Sequence, residues 1–220
     1  MRWSLQSAMK LSWLVLAFAA TGAHAEYLEG IEYAELNQPQ PVVTGDKIEV
    51  REVFLYSCPH CFHLEPVLQK WVKRLPANAR FVRMPAVFRP TLEPHARAFY
   101  AFEALGITNK MHELFFKAIH VQQRPLSDEE SIVAFVVEHG GKAEEFRRTF
   151  HSFSVDANVK SATQLAAAYG VDSVPTMIVD GKYRTNSTMA GGNDNLLRVL
   201  DYLIKKSADE RKRGAKPGRP

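Results

Sequence analysis

The sequence predicts an α/β protein in which a central mixed sheet is flanked by helices and a helical domain is inserted between the two halves of the sheet. Three observations indicate this architecture. A strand, a helix and a second strand open the folded part, a long helical block without strand signal follows, and two strands and a helix close it. The chain has 220 residues, 46% of them apolar, which supports a substantial hydrophobic core.

The start of the chain has the pattern of a secretory signal peptide. Arg2 and Lys10 form a positive region, residues 11–20 are an apolar run of ten, and Ala-His-Ala at 23–25 has the small-x-small form of a cleavage site. A membrane anchor is the alternative, but spanning a bilayer takes about 20 apolar residues. We therefore predict export and cleavage after Ala25.

The first strand is predicted in KIEVREVFLYS, residues 47–57, because apolar side chains occupy both parities of the alternation. Such a strand is buried on both faces, as in a parallel or mixed sheet. A helix follows, with Pro59 in its first turn and apolar residues at helical spacing from Leu64 to Leu75. The segment ARFVRMPAVF, residues 79–88, then predicts the second strand.

The middle of the chain is predicted to be helical from about residue 89 to 158. Gly106 fits a helix end, Thr108 fits a helix start, and Ser127 with Glu130 has the spacing of a capping box. No segment in this block alternates as a strand would.

Strands return near the end of the sequence. SVPTMIVDGKYRTN, residues 173–186, predicts a hairpin with its turn at Asp180-Gly181. An amphipathic helix is predicted over Asn193–Lys206. The expected organisation is a signal peptide (1–25), two parts of the sheet domain (26–88 and 159–206), a helical domain (89–158) and a tail (207–220).

The net charge of +4 comes from the ends of the chain rather than from its body. Residues 207–220 are rich in Lys and Arg and lack large apolar side chains, so we expect a basic, disordered tail. Without the leader and this tail, acidic residues slightly outnumber basic ones. No aromatic residues are interleaved with the basic charges, so we expect no nucleic-acid partner.

The only two cysteines, Cys58 and Cys61, flank Pro59 and His60 where the first strand meets the helix. A structural disulfide is one interpretation, but a bridge that closes so short a loop constrains the unfolded chain little. A metal site is a second, with His63 as a further ligand. Zinc sites usually close with a second, distant ligand pair, and four ligands so close on one helix cannot converge on one ion.

Thiol–disulfide exchange is the third and favoured interpretation. A C-x-x-C pair at the start of a helix places the first thiol against free backbone N–H groups, which favour its thiolate. Cys61, one turn later, is within reach of a mixed disulfide on Cys58. Pro59 and His60 set the redox balance, since His60 can donate a hydrogen bond or positive charge to the Cys58 sulfur.

Two longer stretches carry a family resemblance. Residues 49–66 read EVREVFLYSCPHCFHLEP and residues 170–184 read GVDSVPTMIVDGKYR. Together with YLEGIEYAEL at 27–36 they resemble the DsbA family of periplasmic disulfide oxidoreductases. The resemblance covers about 26–88 and 157–206 well. It implies a thioredoxin fold interrupted by a helical domain.

The resemblance also implies roles for individual residues. Cys58 would be the nucleophile and Cys61 the resolving cysteine of a redox-active disulfide. Val174 and Pro175 would form a cis peptide bond facing that disulfide and, with Thr176, bind an extended substrate chain by β-augmentation.

A charged residue beneath the motif completes the expected site. Glu52 shares the parity of inward-facing strand residues, and the resemblance implies that its carboxyl tunes the proton balance of the inner cysteine. The alternative is an acid that reaches solvent at the strand end. Its basic partner would be Arg80 or Arg83. We expect His63 to be solvated, and surface or packing roles for the histidines of the helical block, which are His95, His112, His120, His139 and His151.

The function implied is a periplasmic oxidase that donates its Cys58–Cys61 disulfide to exported polypeptides with free cysteines through a mixed disulfide. A DsbB-type, quinone-linked membrane protein would reoxidise it, with no bound cofactor or metal, and the protein would be a soluble monomer. A reductase or isomerase of the same fold is one alternative, disfavoured because Pro59-His60 resembles the oxidising family. A chaperone-like binder using the groove beside Pro175 is another.

Overall fold

A computed structural model describes residues 27–214, so the predicted signal peptide and the last six residues lie outside the described part. Its strands are β1 (Ala34–Glu35), β2 (Ile48–Phe54), β3 (Ala79–Pro85), β4 (Thr176–Val179) and β5 (Tyr183–Thr185). Its helices are α1 (Pro59–Val72), α2 (Glu93–Ala104), α3 (Thr108–His120), α4 (Glu129–Glu138), α5 (Ala143–Phe150), α6 (Phe153–Ala168) and α7 (Asn193–Gly214), with a 3₁₀ turn at Pro90–Leu92. The strand order is β1-β5-β4-β2-β3.

Strand β2 is the centre of the sheet and leads directly into the cysteine pair. All seven of its residues are buried, which confirms the prediction of a strand covered on both faces. It pairs in parallel with β3 and antiparallel with β4, so the sheet is mixed as predicted. The connection from β2 to β3 runs through α1, which therefore begins at the end of the central strand.

Two hydrophobic clusters cover the two faces of the sheet. Helices α1 and α7 pack together over one face, where Leu64, Leu68 and Trp71 meet Leu200 and Leu203. The helical block covers the other face and joins its own core to that of the sheet. The site at the start of α1 therefore lies where the sheet, α1 and the helical block meet.

The helical block contains α2 to α5 and the first part of α6. The expected domain boundary between residues 158 and 159 falls inside α6, which runs without a break from Phe153 to Ala168. The predicted capping box at Ser127 is wrong by one residue. Asp128 accepts from the backbone N–H of Ser131 in a capping box at the start of α4.

The C-terminal segment departs from its prediction. Helix α7 continues to Gly214 instead of ending at Lys206, so the expected disordered tail is wrong for residues 207–214. Ser207 is buried, and the Arg211 guanidinium pairs with the buried Asp180 carboxylate in the hairpin turn. These tertiary contacts hold the added turns of helix.

The predicted hairpin is confirmed, with Asp180 and Gly181 both at positive φ between β4 and β5. Among residues 27–214, no helix combines the length and the hydropathy that a membrane crossing requires.

Candidate active site

Cys58 occupies the N-cap position of α1, directly after β2 and its short connecting loop. Its backbone is extended, with φ −88° and ψ 117°, and Pro59 supplies the first helical residue. The Cys58 sulfur accepts a hydrogen bond from the backbone N–H of Cys61 at 3.4 Å. Both cysteines are free thiols, with Cys58 half-buried and Cys61 buried.

The environment of Cys58 favours the thiolate. A hydrogen bond from the Cys61 thiol is the largest cause, and the backbone N–H groups of Cys61 and His60 and the charge of His60 add to it. Together they overcome partial burial and lower the pKa of Cys58 from 9.0 to about 6. The side chain of His60 is exposed, so the sulfur lies where a substrate thiol can reach it.

Cys61 has the opposite environment. Its side chain is 0% exposed, and burial is the main reason why its pKa is raised. The hydrogen bond that it donates to Cys58 and the charge of Glu52 raise this pKa further. The two thiols are therefore chemically unequal, with one accessible anion and one protected neutral group.

The peptide bond between Val174 and Pro175 is cis, and the Val174 carbonyl oxygen lies 3.5 Å from the Cys58 sulfur. Both residues line a groove of ≈ 420 Å³ that also contains His60 and His63. Thr176 does not line this groove. Its side chain is buried and donates to the Ser173 carbonyl oxygen at 2.7 Å, so it holds the loop and does not face a substrate.

Glu52 is buried beneath the cysteines, so the alternative of a solvent-exposed acid is wrong. The β2–β3 register places it opposite Arg83, whose Nε donates to Glu52 Oε2 at 3.2 Å. Arg80 lies opposite Glu49, which identifies Arg83 as the partner. Burial outweighs the attraction of Arg83 and raises the pKa of Glu52 to about 8.

A second carboxyl group shares the Arg83 guanidinium. Glu65 in α1 accepts from Arg83 Nη2 at 2.6 Å and from Gln69 Nε2 at 2.9 Å. Burial opposes its ionisation, but the contact with His112 and the charge of Arg83 prevail and lower the pKa of Glu65 to about 2. The only signal of Glu65 in the sequence is its i+4 position from Cys61, which places it one turn further along the same helix.

The other histidines differ in their surroundings. His63, in α1, is exposed, as expected. His112 is buried, and its Nδ1 lies 2.9 Å from the Tyr56 hydroxyl while its Nε2 lies 3.6 Å from Glu65 Oε2. His112 is thus more than a packing residue. Within residues 27–214, no three potential metal-ligating side chains of His, Cys, Asp or Glu come together around one point.

Comparisons with known proteins agree with this geometry. The model of the DsbA-like thioredoxin domain matches residues 83–204. The thiol:disulfide interchange protein DsbA of Pseudomonas aeruginosa is 41% identical over 181 residues, which are 82% of this chain and 86% of that protein. The DsbA protein of Burkholderia cepacia is 36% identical over 94% of this chain and 98% of its own length. The crystal structure of P. aeruginosa DsbA superposes with a TM-score of 0.81 at 40% identity, covering 84% of this chain and 97% of that one.

Proposed function

This chain belongs to the DsbA family of thioredoxin-fold proteins and is a thiol:disulfide oxidoreductase, and from that premise we propose that it oxidises exported polypeptides with the Cys58–Cys61 pair. The observation that carries the proposal is the inequality of the two sulfurs. Cys58 is accessible and anionic, whereas Cys61 is buried and neutral. A disulfide that breaks to give a stabilised thiolate is a strong oxidant.

The reaction begins from the oxidised pair. A substrate thiolate attacks the Cys58 sulfur, the Cys58–Cys61 bond breaks, and its electron pair leaves on Cys61, which then takes up a proton. A second substrate thiolate attacks its own sulfur in the mixed disulfide and releases Cys58 as a thiolate. The substrate thereby loses two electrons and two protons. The enzyme gains both electrons and one proton, and the other proton goes to solvent.

Glu52 is the proposed proton-exchange group for Cys61. Its pKa of about 8 keeps it protonated at neutral pH, and once ionised its charge raises the pKa of Cys61. A neutral carboxyl beneath the inner sulfur can give a proton when Cys61 leaves and take it back when Cys61 attacks. His60 stabilises the thiolate, and Pro59 supports the first turn of the helix.

The client is proposed to bind as an extended chain in the groove beside Val174 and Pro175. Its backbone would pair with the exposed edge at Val174, close to the Cys58 sulfur. Backbone pairing recognises unfolded segments without reading a particular side chain, which suits a catalyst that acts on many exported proteins.

The location and the electron acceptor follow from the family. The sequence of residues 1–25 has the features of a leader for export, and we place the mature protein, after cleavage behind Ala25, in the periplasm. The reduced enzyme would pass its two electrons to a DsbB-type, quinone-linked protein of the inner membrane. The Cys58 thiolate would attack a disulfide presented by that partner, since Cys61 is inaccessible.

The test is oxidation of a reduced, unfolded client whose free thiols are counted by alkylation and mass. We expect the oxidised enzyme to remove two client thiols per turnover and C58S to remove none. C61S, first charged at Cys58 as a mixed disulfide with glutathione, should exchange glutathione for a client that has a single thiol and accumulate as the mixed disulfide with that client, because no Cys61 is present to release it. Equilibration with glutathione provides an independent check. A couple as reducing as that of thioredoxin, about −270 mV, would contradict an oxidase. Client binding by C58S with no oxidation by the unsubstituted enzyme would instead indicate a binding protein.

A further inference from the structure

One face of α3 contacts Tyr56, which lies two residues before the catalytic Cys58. His112, Phe116 and His120 are spaced by four residues, so they lie on the same side of the helix. His112 Nδ1 contacts the Tyr56 hydroxyl at 2.9 Å, and His120 Nε2 contacts the Tyr56 carbonyl oxygen at 2.8 Å. The Phe116 ring lies 4.9 Å from that of Tyr56. The helical block therefore contacts Tyr56 both at its side-chain hydroxyl and at its backbone carbonyl.

The surroundings of His112 determine which ring nitrogen carries the proton. Burial raises the pKa of the Tyr56 hydroxyl and lowers the pKa of the His112 imidazole, so both groups are neutral. A neutral hydroxyl can donate or accept, but the Glu65 carboxylate 3.6 Å from Nε2 favours a proton on that nitrogen, and Nδ1 then accepts from the Tyr56 hydroxyl at 2.9 Å. The imidazole proton accordingly sits on Nε2 and points toward Glu65 Oε2, 3.6 Å away.

His112 thus stands at the end of a row of ionisable side chains. Glu65 is next, and its other oxygen accepts from Arg83 at 2.6 Å. Arg83 also donates to Glu52 at 3.2 Å, directly beneath the cysteines. The groups facing His112 are Glu65 from α1, Arg83 from β3, Tyr56 from the catalytic loop and Glu113 from α3 itself. Those facing Glu52 are Arg83, Glu65, Cys58 and Cys61.

A cavity lies beside this row and gives Glu65 somewhere to move. It measures ≈ 290 Å³ and is lined by Glu65, Arg83 and His112, with Lys73 and Thr108 at its edge. Without the contact to Nε2, the Glu65 carboxylate could turn into this space toward Lys73. Arg83 would then pair with Glu52 alone, and the Glu52 anion would be favoured because a positive neighbour stabilises it and a negative neighbour has left.

We propose that His112 is a positioning residue of the redox reaction, because it holds Glu65 against Arg83. Arg83 is then shared between Glu65 and Glu52, so the Glu52 carboxyl stays protonated and can exchange its proton with Cys61. The inserted helical block then contributes to the chemistry as well as to the walls of the site. This inference rests on the proposed proton-exchange role of Glu52, and the test separates the two.

The test is a ¹³C NMR titration of the Glu52 carboxyl in the reduced, full-length protein, with the signal identified by its loss in E52Q. We expect a midpoint near pH 8 in the unsubstituted protein. E65Q should lower that midpoint by about one pH unit or more because a neighbouring anion is removed. H112F should lower it in the same direction, and H112F added to E65Q should lower it no further.

Matched variants distinguish positioning from simple packing. H112Q carries an amide near the place of Nε2 and should restore the midpoint, whereas H112N carries its amide near Nδ1, falls short of Glu65 and should not. His95 is also buried and packs against Tyr56, but it contacts the carbonyls of Pro125 and Leu126 instead of Glu65. H95F should lower the thermal midpoint without moving the Glu52 titration. If H112F fails to fold, the H112Q and H112N pair gives the same comparison.

The possible outcomes distinguish the positioning role of His112 from the proposed proton-exchange role of Glu52. A Glu52 midpoint that stays near pH 8 in H112F and H112N overturns the role of His112. The proposed role of Glu52 is tested separately, by the pH profile of client oxidation. If E52Q leaves that profile unchanged, the proton-exchange role fails even where the NMR midpoints move as expected.

Discussion

The clearest prediction concerns the hydrogen bond between the two thiols. The Cys61 thiol is the largest cause of the low pKa of Cys58, ahead of the backbone N–H groups at the start of α1. Replacing Cys61 with Ala removes this donor, and replacing it with Ser keeps a hydroxyl donor in nearly the same place. We therefore expect the pKa of Cys58 to stay near 6 in C61S and to rise by about one unit or more in C61A.

The magnitude follows from linkage between ionisation and folding. A thiol with a pKa of 9.0 when unfolded and about 6 when folded stabilises the reduced protein fully above pH 9, and that stabilisation is lost as the pH falls through 6. At pH 7 the difference corresponds to about 1.4 kcal/mol. Because Cys58 is half-buried, solvent screening reduces this to about 1 kcal/mol. For a two-electron couple, in which 1.4 kcal/mol corresponds to about 30 mV, this contribution shifts the potential by about 20 mV toward a more oxidising disulfide.

The assay is the rate of alkylation of reduced enzyme by iodoacetamide between pH 4 and 10, followed by mass. Both variants have a single thiol, so each titration reports Cys58 alone, and Cys61 of the unsubstituted protein is protected by burial. Urea unfolding at pH 5 and pH 8 checks the linkage, since C61A should gain less stability with rising pH than C61S. Equal midpoints in C61A and C61S would refute the reasoning and assign the thiolate to the helix N-terminus instead.

Three further predictions concern burial and turn geometry. Glu52→Gln should slow client oxidation about tenfold or more. It should also stabilise the protein at pH 7 by up to about 3 kcal/mol in urea unfolding, because the folded pKa of about 8 makes the stability of the unsubstituted protein fall as the pH rises from 4.5 to 8. A less stable E52Q would contradict this. Arg211→Ala should cost about 2 kcal/mol in the same assay because the buried Asp180 loses its main partner and keeps only Lys182, at 3.9 Å. The matched Lys212→Ala, at an exposed pair, should cost under about 1 kcal/mol. Gly181→Ala should destabilise the protein by more than about 1 kcal/mol, since the φ of Gly181 is +64° and the added Cβ would clash with the Gln40 carbonyl oxygen in the loop between β1 and β2. An unchanged urea midpoint would show that the turn relaxes freely.

The elements that local pattern determines were predictable, and those that tertiary contacts determine were not. Apolar residues at both parities of β2 predict its burial on both faces, and the pair Asp180-Gly181 predicts the turn of the hairpin. Strand β1 has only two residues, too few for a period to appear. The last turns of α7 are polar, and they are helical because Ser207 is buried against the rest of the fold and Arg211 pairs with Asp180.

The site shows the same division. The cysteine pair and the inward parity of Glu52 are properties of one segment, so the sequence revealed them. The choice of Arg83 over Arg80 depends on the register between β2 and β3, which no single strand encodes. His112 lies about 50 residues from the motif, and only the packing of α3 against the catalytic loop brings it to Glu65.

A hydrogen bond between the thiols and the burial of Cys61 together account for the different roles of the two sulfurs. The Cys61 thiol that donates to Cys58 lowers the pKa of Cys58, and the same contact raises the pKa of Cys61. The pair therefore keeps one proton, and it keeps it on the buried sulfur. An attacking thiolate meets Cys58 alone, and the electrons it displaces arrive at an atom that water does not reach. We propose that the proton that Cys61 then needs comes from within the fold, from the buried Glu52 carboxyl beneath the motif, whose pKa is raised to about 8.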